Sequence, residues 1–158
     1  MGRQLPIEIF MPPNMLKAKV GSAFGGIDMA AIKRAEGAVD VLKAEFTEWL
    51  ADDVNRLAQV RDRYAKSHDA GARGELFRAA HDLKGQADTF GFPMIGRVAS
   101  SLTKLIDATE AGAEVPLELI DAHVAAVRVI FRDKIQTMDN AVAQALANEL
   151  EARVADLG

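Results

Sequence analysis

The feature that most constrains the fold is an apolar residue at every third or fourth position, beginning just after Asp28. This spacing is that of one face of an α-helix. It predicts one long amphipathic helix, or two helices with a break near Gly37, and Asp28 is a suitable N-cap. The apolar residues of this first stretch are Ile32, Ala35, Val39, Leu42, Phe46, Trp49, Leu50, Val54, Leu57, Val60 and Tyr64.

Three further helical stretches follow a predicted turn at 67–71. Glycines and prolines, which end and begin helices, set their bounds at about 73–90, 93–112 and 116–138. The stretch 141–157 either prolongs the last helix or folds back as a separate one. Amphipathic helices joined by short turns bury their apolar faces most simply as an antiparallel four-helix bundle. We therefore expect an all-α fold with a possible helical extension at the C-terminus.

Residues 1–27 differ from the rest of the chain because prolines and a glycine pair interrupt them. We interpret them as an N-terminal arm, extended or flexible, whose apolar segment 5–11 could lie along the folded body. Residues 28–158 are then a single helical domain, and their number suits one domain of ordinary size.

Charge and composition argue against several functional classes. The formal net charge is −4, whereas nucleic-acid-binding proteins usually carry a basic surface. The sequence has no cysteine, which excludes disulfides, thiolate metal sites and cysteine nucleophiles. No apolar run approaches the roughly 20 residues of a membrane span, and the N-terminus lacks the apolar core of a signal peptide. We therefore expect a cytoplasmic protein that binds neither nucleic acid nor membrane.

The most informative segment is 76–91, where helical geometry separates two faces. The core-facing residues of this helix are Leu76, Ala80, Leu83, Ala87 and Phe90. A second face, about 120° around the helix, carries His81, Lys84, Gly85 and Asp88. His81 is therefore predicted to stand beside the core at the edge of the solvent rather than inside it.

The neighbours of His81 suit a phosphoryl acceptor. Gly85 in a helix interior costs about 1 kcal/mol relative to alanine, and it leaves the helix surface open to a large partner. Lys84 supplies a cation within reach of a group bound to the ring. Neutral imidazole is a nucleophile, and phosphoryl transfer depends mainly on positioning and charge stabilisation.

Apolar residues near His81 are candidates for a transient docking surface. Phe77 falls near the His81 face by the same helical geometry, and Phe92 and Met94 lie at the following turn. Asp88, on the His81 face itself, is the fourth residue that we expect to contact a partner. For Phe92 the alternative is that it simply covers the end of the bundle.

The motif His81-x-x-Lys84-Gly85, followed by Gly91, closely resembles the histidine-containing phosphotransfer (HPt) domain of bacterial phosphorelays. The resemblance covers roughly residues 40–135. It implies a four-helix bundle whose histidine exchanges a phosphoryl group with the aspartate of response-regulator receiver domains. A hybrid histidine kinase is the other partner class that it implies.

The resemblance also implies roles for individual residues. His81 would accept the phosphoryl group, Lys84 would steady it, and Gly85 would let the acidic pocket of the receiver approach. The receiver would bring the Mg²⁺, so no cofactor is expected on this chain. Two positions depart from the family pattern: Gln86 stands where many members have a small residue, and Asp88 is acidic where small residues are common.

Two other functions are possible from the sequence. The chain could be a helical adaptor that binds a receiver or kinase without being phosphorylated. It could also be an enzyme that uses His81 as a general base, although no nucleophile, oxyanion donor or cofactor motif accompanies that residue, and Gly25-Gly26 lacks the rest of a P-loop. We expect His68, in a turn, and His123, on the last helix, to be structural or exposed rather than metal ligands.

Overall fold

The computed structural model of the protein describes residues 25–157, and these form five α-helices. The helices are α1 (Gly25–Ser67), α2 (Ala70–Thr89), α3 (Pro93–Ala108), α4 (Leu117–Arg132) and α5 (Ala141–Leu157). The described residues contain no strand, so the all-α prediction is confirmed. The stretch 141–157 is a separate helix rather than a prolongation of the preceding one. Most of the predicted arm, residues 1–24, lies outside the described residues.

Helix α1 continues without a break through Gly37, which confirms the single-helix alternative. The prediction of Asp28 as its N-cap is wrong, because the helix begins at Gly25 and places Asp28 in the first turn. An acidic residue there still favours the helix, since its charge opposes the positive end of the helix dipole.

The predicted ends of the third and fourth helices are too late. Helix α3 ends at Ala108, where the Arg73 guanidinium donates to the carbonyl oxygens of Ile106 and Thr109 at 2.7 and 2.6 Å. These bonds satisfy carbonyls that a helix end leaves without partners. Helix α4 ends at Arg132, and Lys134 then adopts a φ of 54°, which breaks the helical path.

The chain divides into two compact units, residues 1–44 and 45–158. In the first unit the described side chains from 29 to 44 are all exposed. The second unit is a helical bundle in which α3 contacts α2, α4 and α5. Its core is mainly aliphatic, and Leu76, Leu83, Ile95 and Leu102 are completely buried in it.

Polar bonds fix the bundle helices against one another. The Tyr64 hydroxyl accepts a hydrogen bond from the backbone N–H of Val115 at 2.9 Å, deep in the structure. Arg61 donates from two nitrogens to the two carboxylate oxygens of Asp121, which joins the end of α1 to α4. Among the described helices, none is both long enough and apolar enough to cross a membrane.

Candidate functional site

Helix α2 carries the candidate site, and both of its ends are well defined. The Asp69 carboxylate caps its start by accepting the N–H of Ala72 at 2.7 Å. Gly91 follows its end with a φ of 89°, a conformation that glycine adopts without strain. Four residues of the predicted core face are buried on the inner side: Leu76, Ala80, Leu83 and Ala87.

The prediction that a second face of α2 meets the solvent is also confirmed. His81, Lys84, Gly85 and Asp88 are all exposed. The ring of Phe77 stacks on the ring of His81, with 6.0 Å between centroids and 23° between planes. Phe77 is itself half-buried against the core, so it supports the imidazole from one side and leaves the other side open.

Neither ring nitrogen of His81 forms a hydrogen bond with any described residue. Lys84, one turn further along, forms no ion pair within the same part of the chain. A histidine that is exposed and unbonded can offer a nitrogen lone pair to an incoming group. An unpaired ammonium beside it can then stabilise negative charge on that group.

Two glycines near the site have different structural reasons. A Cβ added to Gly85 would meet no atom within 4 Å, so the packing of this chain does not require a glycine there. A Cβ added to Gly96 would lie 3.2 Å from Asp88 Oδ1 and 3.3 Å from the Lys84 carbonyl oxygen. Gly96 therefore allows α3 to approach α2, whereas Gly85 leaves space outside the protein.

A groove of about 560 Å³ runs beside this face of α2. It is lined by Lys84, Gly85 and Asp88 of α2, by residues of α3 that include Arg97, and by Met138 of the α4–α5 loop. Arg97 is held by Glu151, which accepts hydrogen bonds at 2.8 and 2.7 Å. The hydrogen bond from Arg97 lowers the pKa of Glu151, so this pair remains charged at neutral pH.

Acidic residues flank the site where α1 meets α2. Asp82, the residue after His81, forms an ion pair with Arg56 of α1 at 3.2 Å. Burial raises the pKa of the nearby Asp53, and the charges of Asp82 and Asp52 add to this effect while Arg56 opposes it. One carboxylate oxygen of Asp53 is buried without a hydrogen-bond partner in the described structure. Both side chains of the Arg56–Asp82 pair are exposed. The pair therefore contributes at most about 1 kcal/mol to the free energy of unfolding.

The structure contradicts two of the four predicted docking residues. Phe92 and Met94 are buried, with 3% and 0% of their surface exposed, because α3 turns them into the core. Phe92 packs against Phe131 with 5.5 Å between ring centroids, so it covers the bundle end, as the alternative interpretation held. Phe77 remains partly exposed against the His81 ring, and Asp88 is exposed two turns further along α2 and forms no hydrogen bond with His81 in the described structure.

Sequence reasoning missed two residues that line the groove. It placed Met138 on the apolar face of the last helix, but α4 ends earlier and Met138 is 48% exposed in the following loop. Arg97 follows Gly96 on a helix that was correctly predicted, but its neighbours in α5 are more than 50 residues away in sequence. No local signal in the sequence could have revealed either placement.

The other two histidines do not form a site. His123 is fully buried; its Nδ1–H donates to the Leu119 carbonyl at 2.7 Å, and its Nε2 accepts from the Ser101 hydroxyl at 2.9 Å. Burial lowers the pKa of His123, which keeps the ring neutral. His68 lies in the α1–α2 turn with a φ of 55°, as its predicted turn position requires. No group of three or more potential metal ligands occurs among the described residues.

Comparison with known proteins agrees with this geometry. No curated protein and no solved structure was found to match the chain. The family model of the Hpt domain matches residues 41–156, which cover α2 to α4 and nearly all of α5. That match includes His81 and the whole face around it. Since it spans well over half of the sequence, the chain belongs to the Hpt domain family.

Proposed function

We propose that this protein is a phosphocarrier in which His81 accepts a phosphoryl group from the aspartate of a receiver domain and passes it to another. Membership in the Hpt domain family indicates a phosphotransfer-type function in a phosphorelay. The observation that supports His81 as the acceptor is its exposed imidazole, which has no hydrogen bond within the described structure and lies beside a glycine that faces open space.

The transfer is a displacement at phosphorus. A lone pair of the neutral imidazole forms the N–P bond, the P–O bond to the receiver aspartate breaks, and the carboxylate leaves with that electron pair. The other ring nitrogen keeps its proton during the attack. Such a transfer needs alignment and charge stabilisation more than acid–base chemistry.

The residues around His81 have separate roles in this proposal. The Lys84 ammonium stabilises the charge on the transferred oxygens, and Phe77 holds the ring in place by stacking. Gly85 gives clearance for the acidic pocket of the receiver, which also brings the Mg²⁺. Asp88 and Met138 lie at the edges of the contact, so they help to choose among partners.

The phosphoryl donors and acceptors are response-regulator receiver domains, including the receiver of a hybrid histidine kinase. The chain itself neither binds a nucleotide nor hydrolyses one in this proposal, and it acts in the cytoplasm. Phosphate can then pass in either direction, according to which receiver is phosphorylated.

The proposal is tested by incubating the protein with receivers that carry a labelled aspartyl phosphate. We expect label that is acid-labile and base-stable on the wild-type protein, and none on His81→Gln. His68→Asn is the matched control, because asparagine tolerates the positive φ at that turn. Label on His81→Gln would contradict the assignment, and receiver binding without any label on the wild type would favour the adaptor function instead.

A further inference from the structure

The groove beside the exposed face of α2 is continuous with the proposed phosphoryl site. Lys84 and Gly85, which the proposed function places beside the phosphoryl group on His81, are also lining residues of the groove. From there the groove extends along α2 to Asp88 and reaches Met138 of the α4–α5 loop. A protein that docks on His81 therefore meets the groove as part of the same surface.

The carboxylate of Asp88 is a charge in this groove that no described residue neutralises. It is exposed, and it forms neither a hydrogen bond nor an ion pair with any described residue. It lies against α3, since a Cβ added to Gly96 would be 3.2 Å from Asp88 Oδ1. Of the cations that line the groove, Arg97 is bound to Glu151 at 2.7 Å. Lys84 lies one turn before Asp88 on the same helix but forms no ion pair with it in the described structure.

The second feature of the groove is an exposed apolar side chain on a loop that hydrogen bonds hold in place. Met138 is 48% exposed, although the side-chain amide of Gln144 donates to its carbonyl oxygen at 2.7 Å. The side-chain oxygen of Asn140 accepts the N–H of Ala143 at 3.0 Å and so fixes the start of α5. A methionine side chain adapts its shape to the surface that contacts it. The groove therefore offers a partner both an unpaired carboxylate and an apolar contact.

A receiver that docks on His81 is large enough to cover Asp88. The two residues are separated by about 10 Å along the helix, at 1.5 Å per residue. Even a small transient interface buries about 500 Å² on each partner, and a patch of that area is about 25 Å across. A contact centred on His81 therefore extends about 12 Å in each direction and includes Asp88.

The sign of this charge determines which receivers fit. The receiver pocket that approaches His81 in the proposed function is acidic, and a carboxylate at the rim of the contact repels it unless the partner supplies a cation. Like charges brought together at an interface are a means of rejecting wrong partners. We propose that the groove takes up a lysine or arginine side chain of the receiver, which pairs with Asp88 while an apolar neighbour packs on Met138. This inference rests on the proposed phosphocarrier function and makes these two residues selective for the receiver.

The alternative role for Asp88 lies within α2, where its carboxylate would hold the ammonium of Lys84. A lysine that precedes an acidic residue by four positions is the less favourable order for such a pair. The two roles also differ in their effect on transfer. A loss that acts through Lys84 lowers the limiting rate of transfer, because that residue acts on the phosphoryl group itself. The loss of a contact with the receiver instead raises the receiver concentration at which transfer is half-saturated.

Single-turnover transfer to the full-length chain tests the proposal. The phosphoryl donor is the receiver of the same organism that transfers fastest to the wild-type protein, and its concentration is varied. At low ionic strength we expect Asp88→Lys to raise the half-saturating concentration at least tenfold and to leave the limiting rate within twofold. High salt should reduce this difference, because it screens exposed charges.

Glu118→Lys is the matched control, since Glu118 is exposed on α4, which supplies none of the described lining residues of the groove. Circular dichroism checks that both variants remain helical. We expect Glu118→Lys to transfer as the wild type does. An unchanged half-saturating concentration in Asp88→Lys, an equal effect of the two variants, or a change confined to the limiting rate would overturn the proposal.

The apolar contact is tested in the same assay with Met138→Ala. We expect the half-saturating concentration to rise about fivefold and to stay raised at high salt, because the lost contact is apolar. Leu157→Ala is the matched control, since Leu157 is also 48% exposed but lies at the other end of α5. An equal effect of these two variants would overturn the assignment of Met138 to the receiver contact.

A charge exchange tests the pairing itself. Each lysine and arginine around the phosphorylated aspartate of the receiver is changed to glutamate in turn and assayed with the wild type and with Asp88→Lys. We expect one receiver variant to transfer poorly to the wild type and at least fivefold better to Asp88→Lys. Transfer to the wild type without any such recovery would overturn this inference alone. A wild-type protein that takes up no label from any receiver would overturn the phosphocarrier function, and this inference with it.

Discussion

His81 on the exposed face of α2 and His123 at the buried contact of α3 with α4 are the same side chain in opposite surroundings. The ring of His123 has both nitrogens occupied, by the Leu119 carbonyl and the Ser101 hydroxyl, and no surface open to solvent. The ring of His81 is exposed, has no hydrogen bond within the described structure and touches Phe77 on one side.

The ring of His123 therefore contributes hydrogen bonds and packing to the core, whereas the ring of His81 has nitrogens that an incoming group can reach. A nitrogen that already donates or accepts inside a packed core cannot attack a phosphoryl group on another protein. A nitrogen of a ring that is held only by stacking can do so. Substitution of that ring removes few contacts from the core. Substitutions at the two sites should therefore have opposite consequences for folding and for transfer.

The largest expected effect is on stability at the buried histidine. His123→Ala leaves a cavity and removes a partner from both the Ser101 hydroxyl and the Leu119 carbonyl, so we expect a loss of about 3 kcal/mol. His81→Ala should change the free energy of unfolding by no more than about 0.5 kcal/mol, as exposed positions usually do. Urea denaturation of both variants measures the two values. Similar losses of stability at the two positions would contradict the view that only the buried ring stabilises the fold.

The next effect is on transfer at the exposed face. Gly85→Leu places a side chain where the receiver must approach, and we expect transfer to slow about 100-fold, equivalent to about 2.7 kcal/mol in the activation free energy. The same variant should be as stable as the wild type or more stable, because leucine favours the helix by up to about 1 kcal/mol over glycine. Stopped-flow transfer from a phosphorylated receiver gives the rate. An unchanged rate would show that Gly85 does not provide clearance.

A smaller effect is expected at the cation of the site. Lys84→Ala should slow transfer about tenfold, or about 1.4 kcal/mol, because the charge on the transferred oxygens loses one ammonium. Lys84→Arg retains a positive charge and is the control that should recover much of the rate. If both variants transfer at the wild-type rate, the lysine acts on neither the phosphoryl group nor the receiver.

The smallest effect is a pH dependence of stability from the buried ring. Burial lowers the pKa of His123 from its ordinary value of 6.5, so the unfolded chain takes up a proton at higher pH than the folded one. The contribution of His123 to stability is then fully present above pH 6.5, and it declines as the pH falls towards the pKa of the folded state. Between pH 7.5 and 5.5 we expect stability to fall, with a slope of no more than about 1.4 kcal/mol per pH unit for this one proton. Urea titrations should show this loss in the wild type and in His81→Ala but not in His123→Ala.

The sequence was sufficient for the parts of the fold that depend on local spacing. The apolar periodicity predicted the helices, and 100° per residue correctly separated Leu83 in the core from His81 at the surface. The family motif depends on the same few residues of α2. This is why the sequence alone was sufficient to locate the candidate site.

The parts that the sequence could not supply depend on where helices end and what then meets in space. The periodicity continued to Met138, but the left-handed backbone at Lys134 ends the helical path and turns Met138 to the groove. Phe92 and Met94 stand next to a proline at a turn, where local geometry does not decide which side faces inward. The core contact of Phe92 with Phe131, 39 positions along the chain, decides it.

The most direct test of the central claim is to identify which imidazole carries the phosphoryl group. Protein with ¹⁵N-labelled histidine is phosphorylated by a receiver and observed by two-dimensional NMR of its three imidazole rings. We predict a large change in the signals of His81 alone and none in those of His123. A phosphorylated protein in which the His81 signals are unchanged, or in which another histidine changes instead, would contradict the account.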